Sequence, residues 1–225
     1  MQKHRSSEKA ASVLRPTTPL NIGQKTQRQR ILDAMIESCA EKTFAATTIT
    51  DIVARARISR TTFYKQFDDK RACFDAAVDY SIEALGGIAD SAIEPEDGPG
   101  DASRKAVTAV VDALVARPGL AQLLTGDAFA VDPTITGRYR KATIPPLEAL
   151  WASRNGGSRG HTDPRLAFGQ AQVLILHQIA SGKLDHLAEV LPELVYLAIS
   201  PFGGHEEALK QARLARENEA TGATR

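Results

Sequence analysis

An unusual set of side chains lies close together in "ISRTTFYKQFDDK", residues 58–70. A helix selected only for stability would carry Ala, Leu, Glu and Lys on its exposed face. This stretch instead places hydroxyls, a phenol and an amide beside cationic groups. In the major groove of DNA, Arg and Lys contact guanine, Thr methyl groups contact thymine, and amides bond to base edges. These residue types therefore predict a surface that binds double-stranded DNA.

Three short helices are predicted to position this surface, each beginning at a residue suited to cap a helix. Thr26 with Gln29, and Thr48 with Asp51, have the three-residue spacing of a capping box. Ser59 is suited to begin the third helix. Apolar residues follow at helical spacing.

The second and third predicted helices are joined by the three residues "RIS", which is typical of a helix-turn-helix motif. Phe63 and Phe67 are four residues apart and are expected to face inward. The outward side chains of the third helix are then Arg60, Thr61, Thr62, Tyr64, Lys65 and Gln66.

A fourth, longer helix is predicted to begin after Asp68 or Asp69 and to run to about residue 93. Lys70 and Arg71 occupy its first turn, where the helix dipole disfavours a cation by about 0.3–1 kcal/mol. A bound phosphate would reverse this effect, because it would meet free N–H groups as well as both cations. The position therefore favours a phosphate contact, although solvated cations also tolerate such sites.

The remaining chain is predicted to be helical, because no stretch alternates at the period of a strand. Loops are expected at 94–103 and 153–163, and a charged helix at the end of the chain. Pro145-Pro146 is expected to kink or break the third of the helices in this region. The helices are predicted near 102–116, 118–130, 133–153, 164–182 and 184–200, the last one interrupted or restarted at Pro192.

The charges of the 225-residue chain are unevenly distributed. Residues 1–75 carry 14 Lys and Arg against 8 Asp and Glu, whereas the rest carries 14 against 19. A basic first third predicts an anionic partner there. Residues 1–24 are interpreted as a flexible basic tail, which could serve solubility or touch DNA.

Localisation follows from what the sequence does not contain. The two cysteines, Cys39 and Cys73, lack the spacing of a zinc site and are expected to be buried thiols. We find no signal-peptide pattern and no apolar run of about 18 residues. A cytoplasmic protein is therefore expected.

The segment "TTITDIVARARISRTTFYKQFDDKRACFDAAV" resembles the helix-turn-helix signature of the TetR/AcrR family of bacterial transcriptional regulators. The resemblance covers about residues 26–78. It implies an all-α protein with a helix-turn-helix DNA-binding domain at 25–70. A larger helical domain at 71–225 would bind a ligand and dimerise through the helices near 164–182 and 184–200.

The resemblance also implies roles for individual residues. Contacts with backbone phosphates are implied for Thr48, Thr50, Tyr64 and Lys70. Contacts along the groove are implied for Arg60, Thr61, Thr62, Lys65 and Gln66, with Ser59 as the cap. The family usually has Gly where this chain has Arg57, at a position that commonly needs a left-handed backbone, which costs a non-Gly residue about 1–2 kcal/mol. Either the turn geometry differs here or the strain is tolerated.

Candidates for a ligand pocket are the large side chains of the second domain, Phe129, Tyr139, Trp151, Phe168 and His177. The alternative is that these side chains are plain core, and that His177 is an interior or interface residue. No metal ligand set is expected, because His186 with Glu189 and His205 with Glu206 each lack a third partner at ligand spacing.

The function predicted from these features is that of a one-component regulator, most simply a repressor. It would bind a palindromic operator as a homodimer and release it when a small molecule binds. The alternative is a ligand-independent architectural DNA-binding protein. The sequence lacks a P-loop, a dinucleotide-binding fingerprint, GxSxG and HExxH, so neither an enzyme nor a cofactor is predicted.

Overall fold

The computed structural model describes residues 26–154 and 162–222. Most of these residues are helical and none of them lies in a β-strand, which confirms the all-α prediction. The predicted basic tail at 1–24 lies outside the described residues, as does most of the predicted loop at 153–163.

The first four helices begin where the sequence predicts. They are α1 (Gln27–Ala46), α2 (Ile49–Ala56), α3 (Arg60–Tyr64) and α4 (Lys70–Ser91). Both capping boxes form, and Ser59 and Asp69 cap the following helices through their side chains. These caps satisfy N–H groups that the helices themselves cannot pair.

The second half of the chain is also built from helices. They are α5 (Pro99–Ala116), α6 (Pro118–Gln122), a π-turn (Leu123–Asp127), α7 (Ala128–Val131), α8 (Thr136–Ser153), α9 (Pro164–Ala180), a 3-10 helix (Leu184–Val190) and α10 (Leu191–Gly222).

Two predicted boundaries in this half are wrong. The loop expected at 94–103 is shorter, because Pro99 begins α5, a position where the missing N–H of proline has no effect. The single helix expected at 118–130 is interrupted by the π-turn, in which the backbone accommodates an extra residue.

Pro145 and Pro146 do not break α8, contrary to the alternative that the sequence suggested. They leave the carbonyls of Lys141 and Ala142 without helical partners. All four residues are exposed, so water can satisfy these carbonyls.

The helix predicted at 184–200 restarts next to Pro192, as predicted, and then continues into the charged terminal helix. A 3-10 helix comes first, and α10 then restarts at Leu191, just before Pro192. Gly204 interrupts α10 with φ of 77°, a conformation available to glycine.

One hydrophobic core continues from the helix-turn-helix into the second domain. Helix α4 packs against both α1 and α5, and α1 also packs against α6 and the π-turn. Cys39 and Cys73 are buried free thiols, as predicted, and burial raises the pKa of each to about 12.

Within the described ranges, no single helix is long and apolar enough to cross a membrane. Only the pair Pro99–Ala116 and Pro118–Val131, bent by 103°, passes that test of length and composition when taken together.

Candidate DNA-binding surface

Helix α3 is fixed by one cap and one buried anchor. The Ser59 hydroxyl accepts a hydrogen bond from the Thr62 N–H at 3.1 Å, and the two hydroxyls lie 2.9 Å apart. Phe63 is fully buried, and its ring meets that of Tyr64 edge-on at 5.5 Å. The cap and the anchor together fix which side of this five-residue helix faces solvent.

The side chains that the sequence assigns to DNA lie mostly on the exposed side. Tyr64 is 50% exposed, which is high for a large aromatic residue. Thr62 is half-buried and bonded to Ser59, so its hydroxyl is less available than that of Thr61. The exposed members of the predicted set are Thr48, Thr50, Ser59, Arg60, Thr61, Tyr64, Lys65 and Gln66.

Thr48 is exposed and is also the N-cap of α2. Its hydroxyl accepts from the Asp51 N–H at 3.2 Å and donates to the Asp51 carboxylate at 2.7 Å. The same carboxylate accepts from Lys42 at 2.7 Å, and these hydrogen bonds hold the pKa of Asp51 far below its usual range. Asp51 therefore stays ionised and completes the capping box at the start of α2.

Lys70 has protein partners that the sequence argument did not foresee. Its ammonium donates to the carbonyls of Phe44 and Thr47, both at 2.9 Å, and lies 4.3 Å from the centre of the Phe44 ring. These carbonyls lie at the end of α1, where the helix dipole favours a cation. Lys70 therefore has a stabilising role that does not require a phosphate.

Arg71 is also balanced by protein groups. It donates to Asp75 at 2.9 Å and to the carbonyl of Val131 at 3.2 Å. The two cations in the first turn of α4 are therefore balanced by protein carbonyls and by Asp75, and their position does not require a phosphate.

Of the two alternatives at Arg57, the structure has the strained one, a left-handed backbone with φ and ψ both at 54°. Its N–H donates to the carbonyl of Ala54, and the Ile58 N–H donates to that of Val53. The turn therefore closes α2 as glycine would close it, at the cost of local strain.

The five pocket candidates have different surroundings in the described structure. Trp151 is buried, stacks on Phe202 at 6.5 Å and donates to the Ser103 hydroxyl at 3.1 Å. His177 is exposed and Phe168 is half-buried, both on α9.

Phe129 and Tyr139 form a separate edge-on pair at 6.0 Å. The Tyr139 hydroxyl donates to the Leu124 carbonyl in the π-turn at 2.5 Å, and burial raises the pKa of Tyr139. This pair thus lies beside the π-turn.

Sequence reasoning missed Asp127, which ends the π-turn. Only 6% of this residue is exposed, and one carboxylate oxygen accepts from the Phe44 N–H at 2.8 Å. Burial raises the pKa of Asp127, and the hydrogen bond from Phe44 opposes this. A charged residue inside the apolar run "LLTGDAFA" was the available signal.

A second surface lies on α9 and α10. Leu166 and Val173 are 67% and 64% exposed on α9, and they border a groove of about 900 Å³. The groove is apolar and is lined on the α10 side by Pro192, Tyr196, Leu197, Leu209 and Ala212. None of the five pocket candidates lines it.

The chain is all-α, its second and third helices form a helix-turn-helix, and a larger helical domain follows, which is the architecture of TetR-type regulators. Residues 31–77 match the profile of bacterial regulatory proteins of the tetR family. This match covers the helix-turn-helix and the start of α4, where the chain is similar to TetR-family regulators. A comparison with curated proteins gave no match.

Solved structures share the architecture of most of the chain. The fatty acid degradation regulator FadR of Bacillus halodurans is 16% identical with a TM-score of 0.67, and the match covers 78% of this chain and 96% of that one. FadR of Bacillus subtilis, solved with stearoyl-CoA, is 13% identical with a TM-score of 0.63, covering 77% and 98%. A gamma-butyrolactone receptor, described as ArpA-like, is 18% identical with a TM-score of 0.59, covering 85% and 97%. At these identities the likeness shows a shared fold.

Proposed function

We propose that this TetR-family regulator is a repressor that binds a palindromic operator as a homodimer. The observation that carries the proposal is the exposed row on α3, in which Arg60, Thr61 and Tyr64 project from a helix anchored by Phe63. Arg60 and Thr61 are suited to base edges, and the Tyr64 phenol is suited to a phosphate oxygen.

The phosphate contacts of the proposal come from exposed groups around α3. Thr50 lies in the first turn of α2, and Lys65 and Gln66 follow α3. The Thr48 hydroxyl is exposed at the start of α2 but is also hydrogen-bonded to Asp51. Lys70 is assigned to the fold first, because its ammonium is engaged with two carbonyls.

The groove on α9 and α10 supports the homodimer. Large exposed apolar patches mark interaction sites, and Leu166 and Val173 lie on such a patch. A second copy of the chain is the proposed occupant, because an isologous interface presents two α3 helices with the two-fold symmetry of a palindrome.

A small-molecule effector is proposed for the C-terminal domain. Support comes from the FadR structure solved with stearoyl-CoA and from the structure of a gamma-butyrolactone receptor, which share this fold. The effector would bind the DNA-free geometry more tightly, and by linkage the operator would weaken effector binding by the same factor. Phe129 and Tyr139 are the proposed contacts, since they lie beside the π-turn that touches α1.

The proposed DNA-binding domain comprises residues 25–70, and the proposed effector and dimerisation domain comprises residues 71–225. The regulator is proposed to act in the bacterial cytoplasm, without enzymatic activity and without a cofactor. Helix α4 begins at this boundary and contacts helices on both sides of it.

The test is selection of bound sequences from random duplexes, followed by titration of the selected duplex. We expect a two-fold symmetric sequence whose affinity falls steeply with salt. Arg60→Met should weaken binding by about tenfold or more and relax one base preference. Arg213→Met removes an exposed cation from α10 and should leave binding unchanged.

Val173→Glu tests the dimer within the same assay. A carboxylate on the apolar groove should yield monomers in light scattering, and affinity for the full palindrome should fall toward that for a half-site. If no sequence is selected over bulk DNA, the operator proposal is wrong. If Val173→Glu remains a dimer, the α9–α10 surface is not the interface.

A further inference from the structure

Thr43 has a backbone conformation that its side chain disfavours. Its φ of 71° and ψ of 159° lie in a region that is essentially restricted to glycine. A β-branched residue at positive φ is a marked outlier, and such strain persists only where the surroundings hold it. The break lies one turn before the end of α1.

The backbone conformation of Thr43 turns the N–H group of Phe44 out of the helix. In an unbroken α1, the Phe44 N–H would donate to the Ala40 carbonyl. Here it donates to the Asp127 carboxylate at 2.8 Å. A hydrogen bond to a charged acceptor is stronger than one to a carbonyl, which favours the broken form.

Asp127 is well placed to hold this break from the second domain. It ends the π-turn, a distortion that is often found at functional positions. Its other carboxylate oxygen is buried and has no hydrogen-bond partner among the described residues. Among the described residues, the bond from Phe44 is thus the hydrogen bond that compensates the burial of this carboxylate.

The segment after the break is held from the opposite side as well. Lys70 binds the carbonyls of Phe44 and Thr47, and the Phe44 ring packs on Phe74 with 4.4 Å between centroids. Thr47 immediately precedes Thr48, the N-cap of α2. Any rotation at Thr43 therefore moves the residue that begins the helix-turn-helix.

We propose that the bond from the Phe44 N–H to Asp127 is a latch by which the second domain sets the position of α2 and α3. While the latch is closed, Thr43 stays strained and the operator-binding geometry is held. When the π-turn withdraws Asp127, the Phe44 N–H returns to the Ala40 carbonyl and the segment 44–48 rotates. This inference rests on the proposed operator binding.

The test compares Asp127→Ala, Asp127→Asn, Thr43→Gly and the double variant Asp127→Ala with Thr43→Gly. Two quantities are measured in the full chain: the exchange rate of the Phe44 amide hydrogen by NMR, and the affinity for the selected operator. The first of them uses no DNA.

Opening the latch should change both quantities. Asp127→Ala should raise the Phe44 exchange rate and weaken operator binding, each by about tenfold, the worth of one ordinary hydrogen bond. Asp127→Asn retains an acceptor oxygen and should stay within about threefold of the native chain. Asp127→Ala in the Thr43→Gly background should weaken binding by less than about threefold, because glycine holds the same backbone without strain.

The double variant separates a latch from ordinary packing. Equal losses of affinity from Asp127→Ala in both backgrounds would show that Asp127 does not act through Thr43, and would overturn the proposal. Unchanged Phe44 exchange in Asp127→Ala would overturn it as well. If Asp127→Ala alone does not fold, the double variant should restore folding, and its failure to do so counts against the latch. If the native chain selects no operator, the proposed function fails, and the exchange rates still decide whether the latch exists.

Discussion

The ammonium of Lys70 lies 2.9 Å from the carbonyl oxygen of Thr47, the residue before the N-cap of α2. Lys70 thereby joins the start of α4 to the end of α1. Two hydrogen bonds from a charged donor to partly buried carbonyls stabilise the fold more than a surface ion pair does.

Replacing Lys70 with Met should lower the free energy of unfolding by about 1.5–3 kcal/mol, the range for a hydrogen bond to a charged group. The methionine retains the length of the side chain while it removes the donors. Urea denaturation would measure the loss. Lys65→Met is the control, because Lys65 is exposed on the proposed DNA surface and should affect DNA binding instead of stability. Equal stability of the two variants would show that the Lys70 bonds contribute nothing.

Arg57→Gly should raise the free energy of unfolding by about 1 kcal/mol, because glycine adopts the left-handed backbone without steric conflict. Arg57→Ala removes the same guanidinium but keeps the strained Cβ, so it should show no such gain. Chemical denaturation of the pair separates backbone strain from side-chain effects. A similar change in both variants would assign the effect to the guanidinium.

Tyr64→Phe should weaken binding to all duplexes by a similar factor, since a phosphate contact carries no sequence information. The ring and its edge-on contact with Phe63 are retained, so the free energy of unfolding should change by less than about 0.5 kcal/mol. Anisotropy titrations with the operator and with single-base variants would measure the factors. A change in the ranking of the duplexes would place Tyr64 on a base.

Gly203→Ala should destabilise the second domain by about 1–3 kcal/mol, as overpacking of a core does. A Cβ atom at this position would overlap the ring of Trp151, which is itself held by Phe202 and Ser103. Gly87→Ala is the matched control on α4, where a Cβ would meet open space. It should be stabilising by about 0.5–1 kcal/mol, and thermal or urea unfolding should therefore separate the two variants in opposite directions.

Asp127 should contribute a pH-dependent term to stability. Its pKa is raised by burial, so the native state holds a proton at pH values where the unfolded state has lost it. The contribution is fully present below the unfolded pKa of about 3.9 and is lost as the pH rises through the folded pKa. Asp127→Asn should remove this slope from urea denaturation measured across that range.

Asp132→Asn is the control with the opposite sign. Hydrogen bonds from Thr134 hold the pKa of Asp132 below its usual range. Its contribution to stability is present above the unfolded pKa and is lost as the pH falls through the folded one. If the two variants shift the pH profile in the same direction, the burial of Asp127 does not control its titration.

The local features of the DNA-binding half were predictable from sequence because their causes are local. Thr48 with Asp51, and Ser59 before an apolar pair, fix helix starts within three residues of chain. The left-handed backbone of Arg57 was suggested by the family resemblance, which left open whether the turn geometry would differ, and the structure keeps the left-handed turn.

The features that escaped prediction depend on contacts between distant segments. Lys70 bonds to carbonyls 23 and 26 residues away, and Asp127 bonds to an amide 83 residues away. No period or spacing encodes such partners. Pro145 and Pro146 show the complementary case. Proline disfavours the interior of a helix, yet α8 continues through both residues, because water can satisfy the exposed carbonyls that they leave unpaired. The contacts of each side chain with DNA stay predictions.

The docking of α1 onto α6 and the π-turn also limits how relatives of this protein can be recombined. A chimera that imports only residues 26–70 from another regulator would place a foreign α1 against this Asp127 and this π-turn. The imported DNA-binding domain would then lack a complementary surface on α6 and the π-turn, even if its α3 were intact. A grafted DNA specificity should therefore be transferred as a few exposed side chains of α3, with the frame that carries them left in place.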